Sequence, residues 1–166
     1  ITIVGGRPGH GKTTFLLNLL SSMLDQGYKV ILFNRELPNT EVIKKLICLE
    51  SGKLSYGMMR KAIFSKSEVE KLKEAKEKLV KKFNPDKFLM FDNLKNFSKS
   101  SVEVKKFKPD VIFDDYIQLI HTGNSKIDRR LQIEGLCNDY KWLAKESNAA
   151  VVIASQLNRQ LEYRGS

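Results

Sequence analysis

A chain of 166 residues, 42% hydrophobic and 29% charged, is long enough to bury a core of its own, and no apolar run approaches the ~20 residues that a membrane-crossing helix requires. The net charge of +10 creates a positive field that attracts polyanions such as nucleic acid, although much of the lysine excess falls in residues 61–82 and 95–108 and reads as solvated surface. Cys48 and Cys137 stand far apart and outside any C-x-x-C pattern, which argues against a sulfur-ligated metal and predicts buried, reduced thiols. The opening residues carry no secretory pattern, so a cytoplasmic location without membrane contact is expected.

In chain order, residues 1–4 predict a strand and residues 12–26 a helix. In that helix Phe15, Leu16, Leu19, Leu20, Met23 and Leu24 form one apolar stripe, and Gly27 supplies a stop. Residues 30–33 predict a second strand. Residues 40–49 predict a helix with Val42, Ile43, Leu46, Ile47 and Leu49 apolar, closed by Ser51-Gly52. A longer helix is expected over residues 67–83, with Ser67 and Glu70 at capping-box spacing and Val69, Leu72, Ala75, Leu79 and Phe83 as its apolar line. Residues 88–91 and 111–113 predict two strands, each following an Asn-Pro-Asp or Lys-Pro-Asp turn signal, with a short helix over residues 101–107 between them. Residues 128–146 predict a long helix burying Leu131, Leu136, Tyr140, Leu143 and Ala144, and residues 149–154 a fifth strand. The strands at 1–4, 30–33 and 149–154 read as fully buried. Alternating strands and helices predict a single α/β domain, with a mostly parallel sheet flanked by helices on both faces. Ligands in such sheets bind outside the carboxyl ends of the strands.

The loop Gly6-Arg7-Pro8-Gly9-His10-Gly11-Lys12-Thr13 fits G-x-x-x-x-G-K-S/T, with a strand before it and an apolar-periodic helix after it. Glycines let successive N–H groups point at phosphate oxygens, and the helix N-terminus adds partial positive charge. Lys12 is expected at the β- and γ-phosphates and Thr13 at Mg²⁺, with Thr14 next to them in the nucleotide-binding segment. His10 occupies a variable position of the loop. Val111-Ile112-Phe113-Asp114-Asp115 is an apolar strand ending in two acids, a way to present a carboxylate to the metal. The two acids point to opposite faces, and spacing leaves the choice between them open. Glu36 and Gln156 follow the strands at 30–33 and 149–154 and project from the same edge. A carboxylate there suits polarising the attacking water, and an amide suits holding the γ-phosphate.

With these segments in hand, the chain resembles the ATPase domain of DnaB-type replicative DNA helicases, a RecA-like P-loop NTPase core. Arg7-Pro8 and the Gly9-His10-Gly11-Lys12-Thr13 that follows are similar to that family's R-P-S-x-G-K-T loop. Phe33-Asn34-Arg35-Glu36-Leu37-Pro38 resembles its S-x-E-M-P segment, and Asp115-Tyr116-Ile117-Gln118-Leu119 its D-Y-L-Q-L segment. Leu143-Ala144-Lys145-Glu146 and Ser155-Gln156-Leu157-Asn158-Arg159 resemble its L-A-K-E and S-Q-L-N-R segments. The resemblance implies ATP and Mg²⁺ as cofactors, Glu36 as the water-activating base, Asp115 rather than Asp114 at the metal, and Gln156 as the γ-phosphate contact. It also implies a ring-shaped homo-hexamer moving on single-stranded DNA, with primase and a helicase loader as further partners. That family's N-terminal domain, its later strands and its arginine finger have no counterpart in these residues, so a piece of a longer protein is expected. Asp114, Arg35 and Asn138 depart from the family pattern.

Residues 121–130, with Lys126, Arg129 and Arg130, are one candidate for contacting DNA. Competing readings are a RecA-like recombinase or helicase-loader ATPase, and a nucleotide-gated DNA-binding module without efficient turnover. A small-molecule kinase would need an acceptor pocket and a basic lid, and no segment from residue 95 onward reads as either.

Overall fold

A computed structural model of the chain describes residues 1–123 and 127–157. Lys126 of the candidate DNA-facing segment, and Asn158 and Arg159 of the final motif, lie outside the described residues. The strands are β1 (Thr2–Gly6), β2 (Val30–Asn34), β3 (Phe88–Phe91), β4 (Val111–Asp115) and β5 (Ala150–Gln156). They form one sheet in the order β1-β5-β4-β2-β3, every neighbouring pair parallel. Parallel neighbours require crossover connections, supplied by α1 (Lys12–Asp25), α2 (Asn39–Ser51), α3 (Tyr56–Lys61), α4 (Lys66–Lys82), α5 (Phe97–Phe107) and α6 (Arg129–Ser147). Among the described residues no helix is long and apolar enough to cross a membrane.

Strand side chains alternate between the two faces, and the core divides accordingly. Val30 and Leu32 of β2, Val111 and Phe113 of β4, and Val152 and Ala154 of β5 pack with Leu16, Leu17, Leu20 and Leu24 of α1, Val42, Leu46 and Ile47 of α2, and Ala75 and Leu79 of α4. Ile31 and Phe33, Ile112, and Val151 and Ile153 pack on the other face with Val104 of α5 and Leu136, Tyr140 and Leu143 of α6. This parity carries on to the strand ends, where the polar residues stand.

The register aligns those ends. Gly6 lies opposite Gln156, Asp114 opposite both Ile153 and Phe33, and Asp115 opposite Asn34. Residues distant in sequence therefore meet along one carboxyl edge.

Several elements differ from the sequence expectation, each for a physical reason. β1 is an edge strand, so Ile1 and Ile3 are exposed rather than fully buried. On α1 the buried line includes Leu17, while Phe15 turns outward. The cap of α4 is Ser65, two residues before the expected Ser67, because Glu68 accepts from both the N–H and the hydroxyl of Ser65, each at 2.7 Å. Both serines sit three residues before a glutamate, and Phe64 packs against the core just ahead of the earlier one. α5 starts at Phe97 because Asn96 accepts from the Ser98 N–H at 2.8 Å, extending the helix through a serine-rich first turn. The six-residue α3, capped by Ser55, has no buried residue, so no apolar period announced it. Leu131 is exposed because it lies five residues before Leu136, out of phase with the buried Leu136, Tyr140 and Leu143.

Most lysines of α4 face solvent, but Lys82 turns inward and holds Asp25 at 2.7 Å and Glu50 at 2.8 Å. Both cysteines are free thiols, half-buried rather than buried, and burial raises their pKa.

The α1 correction is measurable by urea unfolding. Leu17→Ala, at a position 3% exposed, is expected to cost about 2–5 kcal/mol. Phe15→Ala, at a position 54% exposed, is expected to cost under about 1 kcal/mol. The reverse ranking would mean that the apolar stripe is turned as the sequence pattern suggests.

Candidate active site

The connection from β1 to α1 curls tightly. Gly9 and Gly11 adopt φ of 77° and 81°, values that side-chain-bearing residues rarely take. Gly6 is constrained by space instead, because a Cβ there would come within 3.0 Å of Lys12 Cγ. The His10 N–H donates to the Arg7 carbonyl at 3.2 Å, closing the turn. Lys12 is 9% exposed, and its Nζ donates to the same carbonyl at 3.1 Å, which holds the ammonium over the loop. Arg7 is half-buried, while Pro8, His10 and Thr14 are exposed. No side chain caps the N-terminus of α1, and no acidic residue occupies its first turn. Its leading N–H groups and partial positive charge thus face the loop, an arrangement suited to anionic oxygens.

Asp115 comes to this loop from β4. The Thr13 hydroxyl donates to Asp115 Oδ2 at 2.6 Å. The other carboxylate oxygen, Oδ1, is buried without a hydrogen-bond partner. Burial raises the Asp115 pKa, the charges of Glu36 and Asp114 add to the rise, and the hydrogen bond from Thr13 opposes it. A hydroxyl and a buried, half-satisfied carboxylate are hard oxygen ligands, and a cation beside Oδ1 would satisfy the orphaned atom. That donor set fits Mg²⁺, which binds through one or two protein oxygens completed by phosphates and water. Among the described residues there is no cluster of three or more acidic, His or Cys side chains able to hold a metal unaided.

Glu36 follows β2 and is exposed. Its charge reaches Asp115 and the phenol of Tyr116, whose pKa rises chiefly through burial and then through Glu36 and Asp115. Gln156 ends β5, half-buried, directly across from Gly6. Lys12, Thr13, Asp115, Glu36 and Gln156 therefore share one edge of the sheet.

Asp114 takes the opposite face. Its carboxylate receives Arg35 Nε at 2.7 Å and Nη2 at 2.5 Å, in a pair whose side chains are 0% and 1% exposed. The Tyr140 hydroxyl donates to Asp114, and Arg35 also donates to Ser100 Oγ at 3.2 Å, to Tyr140 Oη at 3.3 Å and to the Leu94 carbonyl. Burial alone would lower the Arg35 pKa, but the hydrogen bond and charge of Asp114 outweigh it and hold the guanidinium above its ordinary value. Burial, then the Asp114 charge, raises the Tyr140 pKa. Arg35 and Asp114, two departures from the family pattern that nothing local in the sequence connects, are partners in one buried ion pair. The available signal was their matching parity, since each stands two residues after a strand residue, Phe33 or Ile112, that faces α5 and α6.

The described part of the segment proposed to face DNA reaches this edge through Gln118. Asp128 caps α6 by accepting from the Arg130 N–H at 2.8 Å. Arg129 Nη2 donates to the carbonyls of Gln118 at 2.6 Å and Ile120 at 3.3 Å. An open cavity of about 460 Å³ lies among Gln118, His121, Gly123, Arg129 and Gln132.

The parallel sheet with its glycine-rich strand-to-helix loop defines a RecA-like P-loop NTPase core. Residues 1–166 match the family described as "DnaB-like helicase C terminal domain", and the chain belongs to that family. It is 27% identical to a probable replicative DNA helicase of Guillardia theta over 172 residues, covering 99% of this chain and 28% of that protein. It is 29% identical to the replicative DNA helicase DnaB of Haemophilus influenzae over 177 residues, covering 99% of this chain and 36% of that protein. Among solved structures, one described as an ATPase domain superposes with a TM-score of 0.84 at 26% identity, covering 99% of this chain and 59% of that one. A DnaB-like replicative helicase, described together with its interactions with primase, superposes with a TM-score of 0.83 at 26% identity, covering 100% of this chain and 41% of that one. The chain thus spans about a third of the length of these curated relatives.

Breaking a buried ion pair strands the remaining charge, at a cost of about 3–5 kcal/mol, whereas exchanging both partners for packed apolar residues is often neutral. Arg35→Met alone is therefore expected to lose roughly that much stability in chemical denaturation, and Arg35→Met with Asp114→Leu to regain most of it. Equal losses in the single and double variants would show that the polar contacts with Ser100, Leu94 and Tyr140 matter more than charge pairing.

Proposed function

We propose that this chain is the ATP-hydrolysing motor domain of a replicative DNA helicase. The observation that carries the reading is the 2.6 Å hydrogen bond from Thr13 to Asp115, which joins the phosphate-binding loop to a buried carboxylate with one unsatisfied oxygen. Residues 6–14 cradle the triphosphate, and Lys12 neutralises its β- and γ-oxygens. Thr13 and Asp115 hold Mg²⁺, which when bound withdraws charge from the β- and γ-phosphates. Glu36 orients and deprotonates the attacking water from the exposed side, and Gln156 meets the γ-phosphate from β5.

The reading extends to a homo-hexamer acting on single-stranded DNA in the cytoplasm. It is supported by membership of the DnaB-like family and by the basic net charge of +10, which suits phosphate contacts. Primase is a proposed partner, because a neighbouring structure describes such interactions for its own protein. A helicase loader is proposed on the family resemblance alone.

In the complete protein carrying this domain, Glu36→Gln is expected to lower kcat by about 10²–10⁴-fold while ATP-analogue binding stays within a few-fold. Parent-like turnover would remove Glu36 from the base role. Hydrolysis by the parent is expected to rise on adding single-stranded DNA. An identical rate with and without DNA, together with no unwinding of a forked duplex, would overturn the motor reading in favour of a nucleotide-gated binding module.

A further inference from the structure

β5 runs further than its neighbour β4. The pairing of β4 with β5 reaches Asp114 opposite Ile153, whereas β1 continues alongside β5 to Gly6 opposite Gln156. Past Ile153, the edge of β5 that faced β4 would be left without a backbone ladder. Gln118 fills that place with its side chain. It lies in a 3₁₀ turn, Ile117–Leu119, that follows β4. Its Oε1 accepts from the Gln156 N–H at 3.1 Å, and its Nε2 donates to the Gln156 carbonyl at 3.1 Å and to Ser155 Oγ at 2.9 Å. A primary amide presents one acceptor and two donors, so this side chain pairs with both backbone groups of Gln156 as a strand residue would. On the opposite edge of β5, the Leu157 N–H donates to the Gly6 carbonyl at 3.1 Å. Gln156 is thereby pinned between the first residue of the phosphate-binding loop and Gln118. Gln118 is fixed in turn, since Arg129 Nη2 donates to its carbonyl at 2.6 Å.

We propose that Gln118 is a positioning residue for ATP hydrolysis: its side-chain amide replaces the missing strand beside Gln156 and sets how far the Gln156 side chain reaches toward the nucleotide. The inference rests on Gln156 as the γ-phosphate contact. A side chain anchored at its own backbone on both edges delivers its amide to one location. Without the Gln118 amide, the end of β5 keeps only its β1 partner and the Gln156 Cα is free to swing away from the sheet. Misplacement by about 1 Å is enough to cost roughly 100-fold in rate, while ground-state nucleotide binding, carried by residues 6–14, is largely spared.

The test uses the complete protein carrying this domain, with ATP turnover measured at saturating single-stranded DNA, alongside binding of a fluorescent ATP analogue and thermal melting. Gln118→Met keeps the length and removes every polar contact. It is expected to lower kcat by about 10-fold to 100-fold with KM and analogue affinity within about threefold. Combining it with Gln156→Ala is expected to leave turnover at the level of Gln156→Ala alone, because both changes remove the same contact. Three results would overturn the positioning role while leaving the Gln156 assignment intact: parent-like kcat in Gln118→Met beside a slow Gln156→Ala, a lowered melting temperature with unchanged kcat, or losses that multiply in the double variant. Parent-like turnover in Gln156→Ala would remove that assignment, and the positioning role with it. Should Gln118→Met fail to fold, Gln118→Glu retains the acceptor for the Gln156 N–H and loses both donors. Its kcat is expected to fall by about tenfold, and a parent-like value would overturn the proposal.

Discussion

Everything at the proposed site depends on the register of one parallel sheet. Because neighbouring strands run in the same direction, their carboxyl ends fall along one line, and side-chain alternation decides which residues on that line face α1 and which face α5 and α6. Residues 6, 36, 115 and 156 are separated by up to 150 positions in sequence and are brought to one edge by the register of the strands they end or follow. A slip of one residue in any strand would send its terminal polar group to the wrong face. The fully buried strands β2 and β4 prevent such a slip, since it would move every apolar side chain out of its own core layer.

The same alternation separates two adjacent acids that would otherwise compete. Asp115 enters the face with α1 and meets Thr13, whereas Asp114 enters the face with α5 and α6 and is neutralised by Arg35. A bare second carboxylate so close to Asp115 would further disfavour its charged form. The Arg35 guanidinium offsets that effect while tying the segment after β2 to β4, to α5 through Ser100 and to α6 through Tyr140. Its backbone N–H also donates to the Asp115 carbonyl at 2.8 Å. One residue thus bonds to both acids at the end of β4, although its side chain lies across the sheet from the phosphate-binding loop.

Much of this was legible in the sequence, because the strongest signals are local. The loop at residues 6–13 declares itself by spacing, and the runs at 30–33, 111–113 and 149–154 declare strands by β-branched and aromatic content. What stayed hidden required knowing which strands are neighbours. Ile1 and Ile3 look like core residues until β1 proves to be an edge. The choice between Asp114 and Asp115 follows from parity once Val111 and Phe113 are known to face α1, and no spacing within a single strand supplies that. The roles of Arg35 and Gln118 were missed for a related reason. Each acts through partners 79 and 38 residues away, and nothing local to either residue names those partners. Two serines at the same distance from a glutamate offered two equally good starts for α4, and the start used is the one next to Phe64, which packs against the core.

The metal ligands proposed among the described residues are few, and that scarcity would have a functional consequence. Thr13 and Asp115 present two hard oxygens, one already hydrogen-bonded to the other, and the described residues hold no cluster of three or more acidic, His or Cys side chains able to bind a metal unaided. A cation with near-octahedral demands gains little from two ligands alone, because it must give up tightly held water. Phosphate oxygens on the loop would supply the remaining contacts and offset that loss. Under the proposed function, nucleotide and Mg²⁺ are then expected to bind as one unit, each raising the affinity for the other, and to add to the support that the Thr13 hydrogen bond already gives the buried Asp115 carboxylate. In the proposed site, a bound cation and triphosphate would oppose the burial that raises the Asp115 pKa. Part of the binding energy of nucleotide and metal would then act at the strand end of β4, next to the Gln118 amide and the Arg35 pair that tie this end to β5 and α6.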